Sequence, residues 1–306
     1  MVADVGISCV TVFGGSGFLG SEIARRLAAE GIATRVADRH PDRVHQIRGP
    51  EPSDGIQHLY ADVRDETSVA LAVDGSDAVV NAVGLYVENR GETFEAVHEI
   101  GALNVAHQCA NLNVARIVHL SGIGADMFAK SRYVRARAKG ELLVRDICAG
   151  AIILRPSIVV GPADAFLNAL VKMARRSPIV PLFARGQMRL QPVYVGDVAE
   201  AAFNAIVRPG VEGKVYELGG PRIYSYRDLM EMALEQARLR RLLLPVPFAL
   251  WELLALSLSV LASPPLTRDQ VTLMRRDNVV AETALSLADL GVRPTALEDV
   301  LPMYAF

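Results

Sequence analysis

The stretch Val10-Thr11-Val12-Phe13-Gly14-Gly15-Ser16-Gly17-Phe18-Leu19-Gly20 decides how the rest of the chain is read. Its first residues are β-branched or apolar and stop at glycines, and Ser21-Glu22-Ile23-Ala24-Arg25-Arg26-Leu27 follows with Ile23 and Leu27 at helical spacing. This is a strand, a tight turn and a helix start. In that frame Gly14 permits the turn, Gly17 lets the backbone approach a diphosphate, and Gly20 lets the helix lie close on the strand. Ser16, Phe18 and Leu19 complete a loop whose exposed amides would hold phosphate oxygens. Asp38 closes the next strand, Ala33-Thr34-Arg35-Val36-Ala37, where a carboxylate would accept both ribose hydroxyls of NAD. Arg39 comes next and can pair with the 2′-phosphate of NADP, so the reading leans to NAD and leaves NADP open.

The chain of 306 residues is 51% hydrophobic and 22% charged, enough for one large α/β unit with a smaller lobe. A formal charge of −2 offers no general attraction to nucleic acid, and none is expected as a partner. Cys9, Cys109 and Cys148 lack metal or redox spacing and are expected to fill the core as reduced thiols. His40, His45, His58, His98, His107 and His119 form no metal pair at helical spacing, so no metal site is expected. The first strand begins almost at once, with no room for a secretory or transit segment; a cytoplasmic protein is expected.

Beyond Asp38 a Pro-, Asp- and Arg-rich loop from His40 to Gly55 leads to the strand Ile56-Gln57-His58-Leu59-Tyr60. Asp62 and Val63 follow it, where ligands lie beyond the carboxyl ends of parallel strands; they are expected at the adenine, with Asp62 also able to cap the next helix. Ala78-Val79-Val80-Asn81 runs without a polar face until its end, as a strand covered on both sides does, and Ala82, Val83 and Gly84 would pass the cofactor. Further strand and helix alternation through Arg116–Leu120, Tyr133–Cys148 and Ala151–Arg155 predicts a Rossmann doubly wound parallel sheet over 1–160. From 161 to 306 the pattern shifts to helices and short strands, including Gln191–Ala199, read as a C-terminal α/β lobe partly interleaved with the main sheet.

Gly14, Gly17 and Gly20, Asp62-Val63, Tyr133 after the Ser121 strand, Arg155-Pro156-Ser157 and Gln191-Pro192-Val193-Tyr194-Val195-Gly196-Asp197-Val198 together resemble the extended and atypical short-chain dehydrogenase/reductase superfamily. The resemblance covers essentially the whole chain and adds Pro156 to the cofactor set. Glu217-Leu218-Gly219-Gly220-Pro221, the run Pro264 to Val271 and Asp277-Asn278-Val279-Val280 narrow it to the accessory NAD(P)H-binding subunit of respiratory complex I and its bacterial single-chain relatives.

In active members of that superfamily a Tyr moves the substrate proton, a Lys four residues on lowers its pKa and binds the nicotinamide ribose, and a Ser or Thr holds the substrate. Here Tyr133 is followed at the shared helix face by Arg137, whose bulk and fork differ from a lysine. Lys139 projects from another side. Ser121 stands one residue before the usual Ser position, which falls on Gly122, and Ser131 is a loop serine with capping chemistry. Two readings follow: an NAD(P)(H)-binding protein with weak or absent catalysis, or an oxidoreductase, epimerase or dehydratase on a small carbonyl, sugar or quinone using Tyr133, Arg137 and Ser121.

From Leu242 to Ala262 the sole charge is Glu252. Pro245 and Pro247 break the front of this run, and a helix from Phe248 to Ala262 would be about 22 Å long at ~1.5 Å per residue, short of the ~30 Å hydrocarbon core. Such a helix either packs within the protein or a homo-oligomer, or presents its leucines to a partner or, with Arg238, Arg240 and Arg241, to the inner membrane as a peripheral contact. Thr267 and Gln270 then read as a capping box.

Overall fold

The computed structural model describes residues 6–40, 55–89, 91–259, 261 and 264–306. The loop positions 41–54, with His45, and residues 260, 262 and 263 at the expected end of the apolar helix lie outside the described residues.

In chain order the first half consists of β1 (Cys9–Phe13), α1 (Phe18–Ala29), β2 (Ala33–Asp38), β3 (Ile56–Tyr60), α2 (Glu66–Val73), β4 (Ala78–Asn81), α3 (Gly101–Asn111), β5 (Arg116–Leu120), α4 (Arg132–Ile147) and β6 (Ile152–Pro156). The second half adds β7 (Val159–Val160), α5 (Ala165–Arg176), β8 (Ile179–Phe183), β9 (Arg189–Leu190), β10 (Val193–Tyr194), α6 (Val195–Val207), β11 (Val215–Leu218), β12 (Tyr224–Ser225), α7 (Tyr226–Gln236), β13 (Leu242–Val246), α8 (Phe248–Leu258), α9 (Arg268–Leu273) and α10 (Leu297–Val300).

Seven strands form one sheet in the order β11-β6-β5-β4-β1-β2-β3, and every pairing in it is parallel. Strand side chains alternate between two cores. Val10 and Val12 enter the layer shared with Ile23 and Leu27 of α1 and with Val198, Ala202 and Ile206 of α6. Phe13 faces the opposite layer with Val79, Val105 and Ile153. Full burial of Ile23 and Leu27 is worth roughly 1.5–3 kcal/mol each, which fixes α1 against the sheet and thereby aims its N-terminus. The strand order reverses between β1 and β4, so their carboxyl ends open a crevice where neighbouring connections leave to opposite faces.

Three local readings change. Val195-Gly196-Asp197-Val198-Ala199 is the start of α6, not a strand continuation; β10 stops at Tyr194. An acidic first turn and an alanine-rich body favour the helix, and the Asp197 carboxylate accepts from the Thr295 amide at 2.7 Å and hydroxyl at 2.8 Å. The proline-broken front of the apolar run forms β13, paired in parallel with β8, because an edge strand needs no donor at Pro245. The residue capping α2 is Asp65, which accepts from Thr67, and not Asp62. The Thr267–Gln270 capping box does form and opens α9. Cys109 is buried, whereas Cys9 and Cys148 are half-buried, all three as free thiols.

Candidate nucleotide crevice and the Tyr133 site

The turn between β1 and α1 is made by glycines for steric reasons that can be read atom by atom. Gly14 has φ +74°, the left-handed region, and its amide donates to Ala37 at 3.0 Å. A Cβ there would also stand 3.0 Å from the Ala82 backbone, so the loops after β1 and β4 touch. A Cβ on Gly20 would collide with the Gly14 carbonyl and reach within 2.8 Å of its carbon. Gly17 is the N-cap of α1 and offers no side chain to its amides. The first-turn amides, from Phe18, Leu19 and Gly20, therefore have no acceptor within the helix and a favourable dipole behind them. Phosphate oxygens fit that geometry.

At the end of β2, Asp38 accepts from the Ser16 hydroxyl and from the His40 amide at 2.8 Å. Ser16 and Asp38 are thus joined. Arg39 turns away and pairs with Glu92, whose second oxygen takes the Asn89 amide group at 2.8 Å. Asp62 is clasped by Arg64, whose Nε lies 2.9 and 3.1 Å from its oxygens, and Arg64 also donates to the Gly91 carbonyl at 2.7 Å. The guanidinium hydrogen bonds hold the Asp62 carboxyl below the usual carboxylate range. Val63 is buried against Gly101, and its carbonyl accepts from Asn104 at 2.9 Å. Ala82 and Val83 are half-buried, and Gly84 is exposed with open space where a Cβ would be. Pro156 is buried at the end of β6, its carbonyl accepting from Ile123 at 3.2 Å.

The chemical end is organised by α4. Tyr133 is buried in an aromatic box, with the rings of Tyr86, Phe94 and His98 each 5.5 Å from its own. His98 lies on a π-helical turn, Glu95–Ile100, that runs into α3. Arg137, one turn beyond Tyr133, donates from Nη1 to its hydroxyl at 2.5 Å. Gly122 makes this possible: a Cβ there would stand 2.8 Å from the guanidinium carbon. A side chain at 122 would compete with the guanidinium for this space.

Burial pushes the Tyr133 phenol well above its ordinary pKa, outweighing the opposing charge of Arg137. Burial, reinforced by Arg137, holds both His98 and His119 down at about 4. Ser121 is not brought into this group. Its buried hydroxyl is donated to Glu141, itself bound by Arg155 at 2.6 Å. Ser131 caps α4, accepting from Val134 at 3.2 Å, and Lys139 reaches Glu99 at 3.3 Å on the outside.

Sequence reasoning passed over Glu92, Arg64, the aromatic box and Asp269. The last carries a signal that could have been read, because it sits in the family-like run from Pro264 to Val271. Its carboxylate accepts from the Ser131 hydroxyl at 2.6 Å and from the Arg132 amide at 2.8 Å, pinning the N-terminus of the Tyr133 helix. Glu92 and Arg64 carry no such signal; their partners are distant or generic. Among the described residues no cluster of His, Cys, Asp or Glu could hold a metal ion.

A parallel seven-stranded sheet with a glycine turn at its switch point is the architecture of a dinucleotide-binding Rossmann protein. Residues 10–219 match the NAD dependent epimerase/dehydratase family, and the chain belongs to that family. It is 32% identical to the mitochondrial NADH dehydrogenase (ubiquinone) 1 alpha subcomplex subunit 9 of Mus musculus, over 94% of this chain and 77% of that protein. It is 30% identical to a ceramide reductase of Caulobacter vibrioides, over 73% of this chain and 69% of that protein. A UDP-glucose 4-epimerase of Thermus thermophilus, solved in complex with NAD, shares the fold with a TM-score of 0.68 at 22% identity, covering 96% and 97% of the two chains.

Proposed function

We propose that this chain binds NAD(H) in the β1–β4 crevice and uses the cofactor for structure or sensing more than for turnover. The observation that carries this reading is the state of Tyr133. A tyrosine acting as acid and base at neutral pH needs its pKa lowered toward that pH, and here burial raises it. The hydroxyl that would share the substrate oxygen is absent at Gly122, and the Ser121 hydroxyl is committed to Glu141. NAD is favoured over NADP because Asp38 and Ser16 stand together at the end of β2 while the Arg39 charge is paired with Glu92. The phosphates would rest on Gly14, Gly17, Phe18, Leu19 and Gly20, the adenosine near Asp62 and Val63, and the nicotinamide between Ala82, Val83, Gly84 and Pro156.

The test is direct. Purified protein should bind NADH, seen by nucleotide fluorescence, and should show no Tyr133-dependent NADH oxidation across a panel of carbonyl, sugar and quinone substrates. Turnover abolished by Tyr133→Phe would replace this reading with the oxidoreductase one, for which the Arg137–Tyr133 hydrogen bond speaks.

The apolar run supplies a second surface. Leu250, Leu253, Leu254 and Leu256 of α8 are exposed, as are Leu242 and Leu244 of β13, and only Ala255 of α8 is buried. Packing within the protein does not cover this face. Because β8 and β13 run parallel, Arg175 and Arg176 before one and Arg238 and Arg240 before the other lie at the same end, all exposed. No helix among the described residues is long and apolar enough to cross a membrane. Exposed leucines on β13 and α8, with exposed arginines before β8 and β13, fit a peripheral contact with an anionic bilayer, which we propose as the inner membrane.

A further inference from the structure

The segment between β4 and the π-helical turn is fastened to the body of the protein by arginines from three different elements. Arg39, at the end of β2, pairs with Glu92. Arg64, beyond β3, donates to the Gly91 carbonyl at 2.7 Å, and Arg132, at the start of α4, donates to Glu88 at 2.7 and 3.2 Å. Among its described residues the segment has no helix or strand beyond the bridge Asn89–Glu92. Side-chain bonds from elsewhere therefore decide where it lies.

The order of the strands shows what it crosses. Because β1 stands between β4 and β2, a chain that leaves β4 and is tied at the ends of β2 and β3 spans ~10–14 Å, at ~4.8 Å per strand, past the carboxyl end of β1. That end carries the glycine turn. The tip of the segment thus borders the adenosine end of the crevice, and its beginning carries Tyr86, whose ring is 5.5 Å from Tyr133.

Glu92 is the fastening a nucleotide can reach. Its carboxylate is aligned by Asn89 Nδ2 at 2.8 Å and by the paired backbone bonds between residues 89 and 92, and it holds the arginine next to Asp38. The Arg39 side chain is 42% exposed, and ion pairs in water contact are weak. A 2′-phosphate brings nearly two negative charges and three acceptor oxygens to a guanidinium that a single carboxylate now holds.

We infer that the Arg39–Glu92 pair is a nucleotide-selective latch: NAD(H) leaves it closed, and the 2′-phosphate of NADP(H) opens it by taking Arg39 from Glu92. Asp38 keeps NADP(H) the weaker ligand, since a carboxylate at that place repels a phosphate. NADP(H) is nevertheless the nucleotide that changes the state of the segment. This inference rests on the nucleotide reading above and adds a second nucleotide and what it moves.

The experiment titrates wild type and Glu92→Gln with NADH and NADPH by nucleotide fluorescence, then compares amide hydrogen exchange over residues 85–92 in protein saturated with each. Wild-type protein that binds neither nucleotide strikes the nucleotide reading; once it binds NADH, the remaining outcomes bear on the latch alone. Wild type should prefer NADH about tenfold or more. Glu92→Gln should gain about tenfold for NADPH and change less than about threefold for NADH, because a neutral amide does not hold Arg39. Exchange over 85–92 in wild type should be about tenfold faster with NADPH than with NADH, and in Glu92→Gln equally fast with both. Arg39→Gln frees the segment in the same way but should gain nothing for NADPH, which separates a released cation from a loosened segment. If Glu92→Gln fails to fold, Glu92→Ala takes its place, and the wild-type exchange comparison needs no variant. An unchanged ratio of NADPH to NADH affinity in the Glu92 variant, equal exchange of wild type with the two nucleotides, a wild-type preference for NADPH, or no NADPH binding by either protein at millimolar concentration would overturn the latch.

Discussion

The two ends of the crevice are built by different means. At the β1–α1 turn, the geometry belongs to the backbone: Gly14 holds a left-handed φ, Gly20 lies under the Gly14 carbonyl, and the first-turn amides have no acceptor within the helix. At the Tyr133 end the geometry belongs to side chains, with Arg137 reaching the Tyr133 hydroxyl and lying against Gly122. A backbone site tolerates little variation because every amide is fixed by the turn itself. A side-chain site can be rebuilt by a compensated pair without disturbing the sheet beneath. The fold can thus keep its grip on a dinucleotide while its chemistry changes.

The contrast is broken most severely at Gly20. Gly20→Val should cost more than a hundredfold in NADH affinity and about 3 kcal/mol or more in stability by overpacking, while Gly150→Ala, in the turn before β6 and with open space at its Cβ, should change neither. Titration calorimetry and thermal melts check both. A fully functional Gly20→Val protein would remove the steric argument.

At the other end the two depressed imidazoles govern acid sensitivity. The folded pKa of His98 and His119, about 4, lies below the ordinary 6.5, so the unfolded state binds more protons between those values. Stability is fully present above pH 6.5 and falls toward pH 4, by roughly 3 kcal/mol per ring at ~1.4 kcal/mol per unit. Denaturant melts at pH 7 and pH 4.5 measure it, and His119→Phe should flatten the slope. An unchanged slope would mean that His119 is not buried neutral.

Cofactor choice sharpens the comparison next. Asp38→Ala should weaken NADH about tenfold, close to ~1.4 kcal/mol, and narrow the gap to NADPH. Removing the anchor of the Tyr133 helix is expected to cost less. Asp269→Ala gives up its hydrogen bonds to Ser131 and Arg132, and about 1 kcal/mol of stability should go with them. The smallest effect on stability belongs to α8: Leu253→Asp, at an exposed position, should shift the melting free energy by under ~0.5 kcal/mol yet abolish sedimentation with anionic vesicles. Persistent sedimentation would remove Leu253 from the membrane contact.

Legibility differed by the range of the interaction. The glycine turn, Asp38, the strand and helix alternation and the capping box at Thr267 are local patterns, each fixed by neighbours within a few residues. The apolar run was legible as amphiphilic but not as exposed, because β13 against β8 is a pairing between segments distant in the chain. Ser121 looked available from its place beside Gly122, yet Glu141, twenty residues on in α4, takes its hydroxyl.

By itself the sequence determined a doubly wound sheet with a glycine turn after its first strand, and it placed Arg137 one helical turn beyond Tyr133. Local sterics and side-chain periodicity carry that information, and they need no knowledge of what lies across the fold. Only the tertiary structure decided that Arg39 pairs with Glu92, that Asp269 pins the Tyr133 helix, and that Arg137 reaches the Tyr133 hydroxyl. Charge pairing acts through space over a few ångströms, and which charges come that close is set by packing, not by their order along the chain.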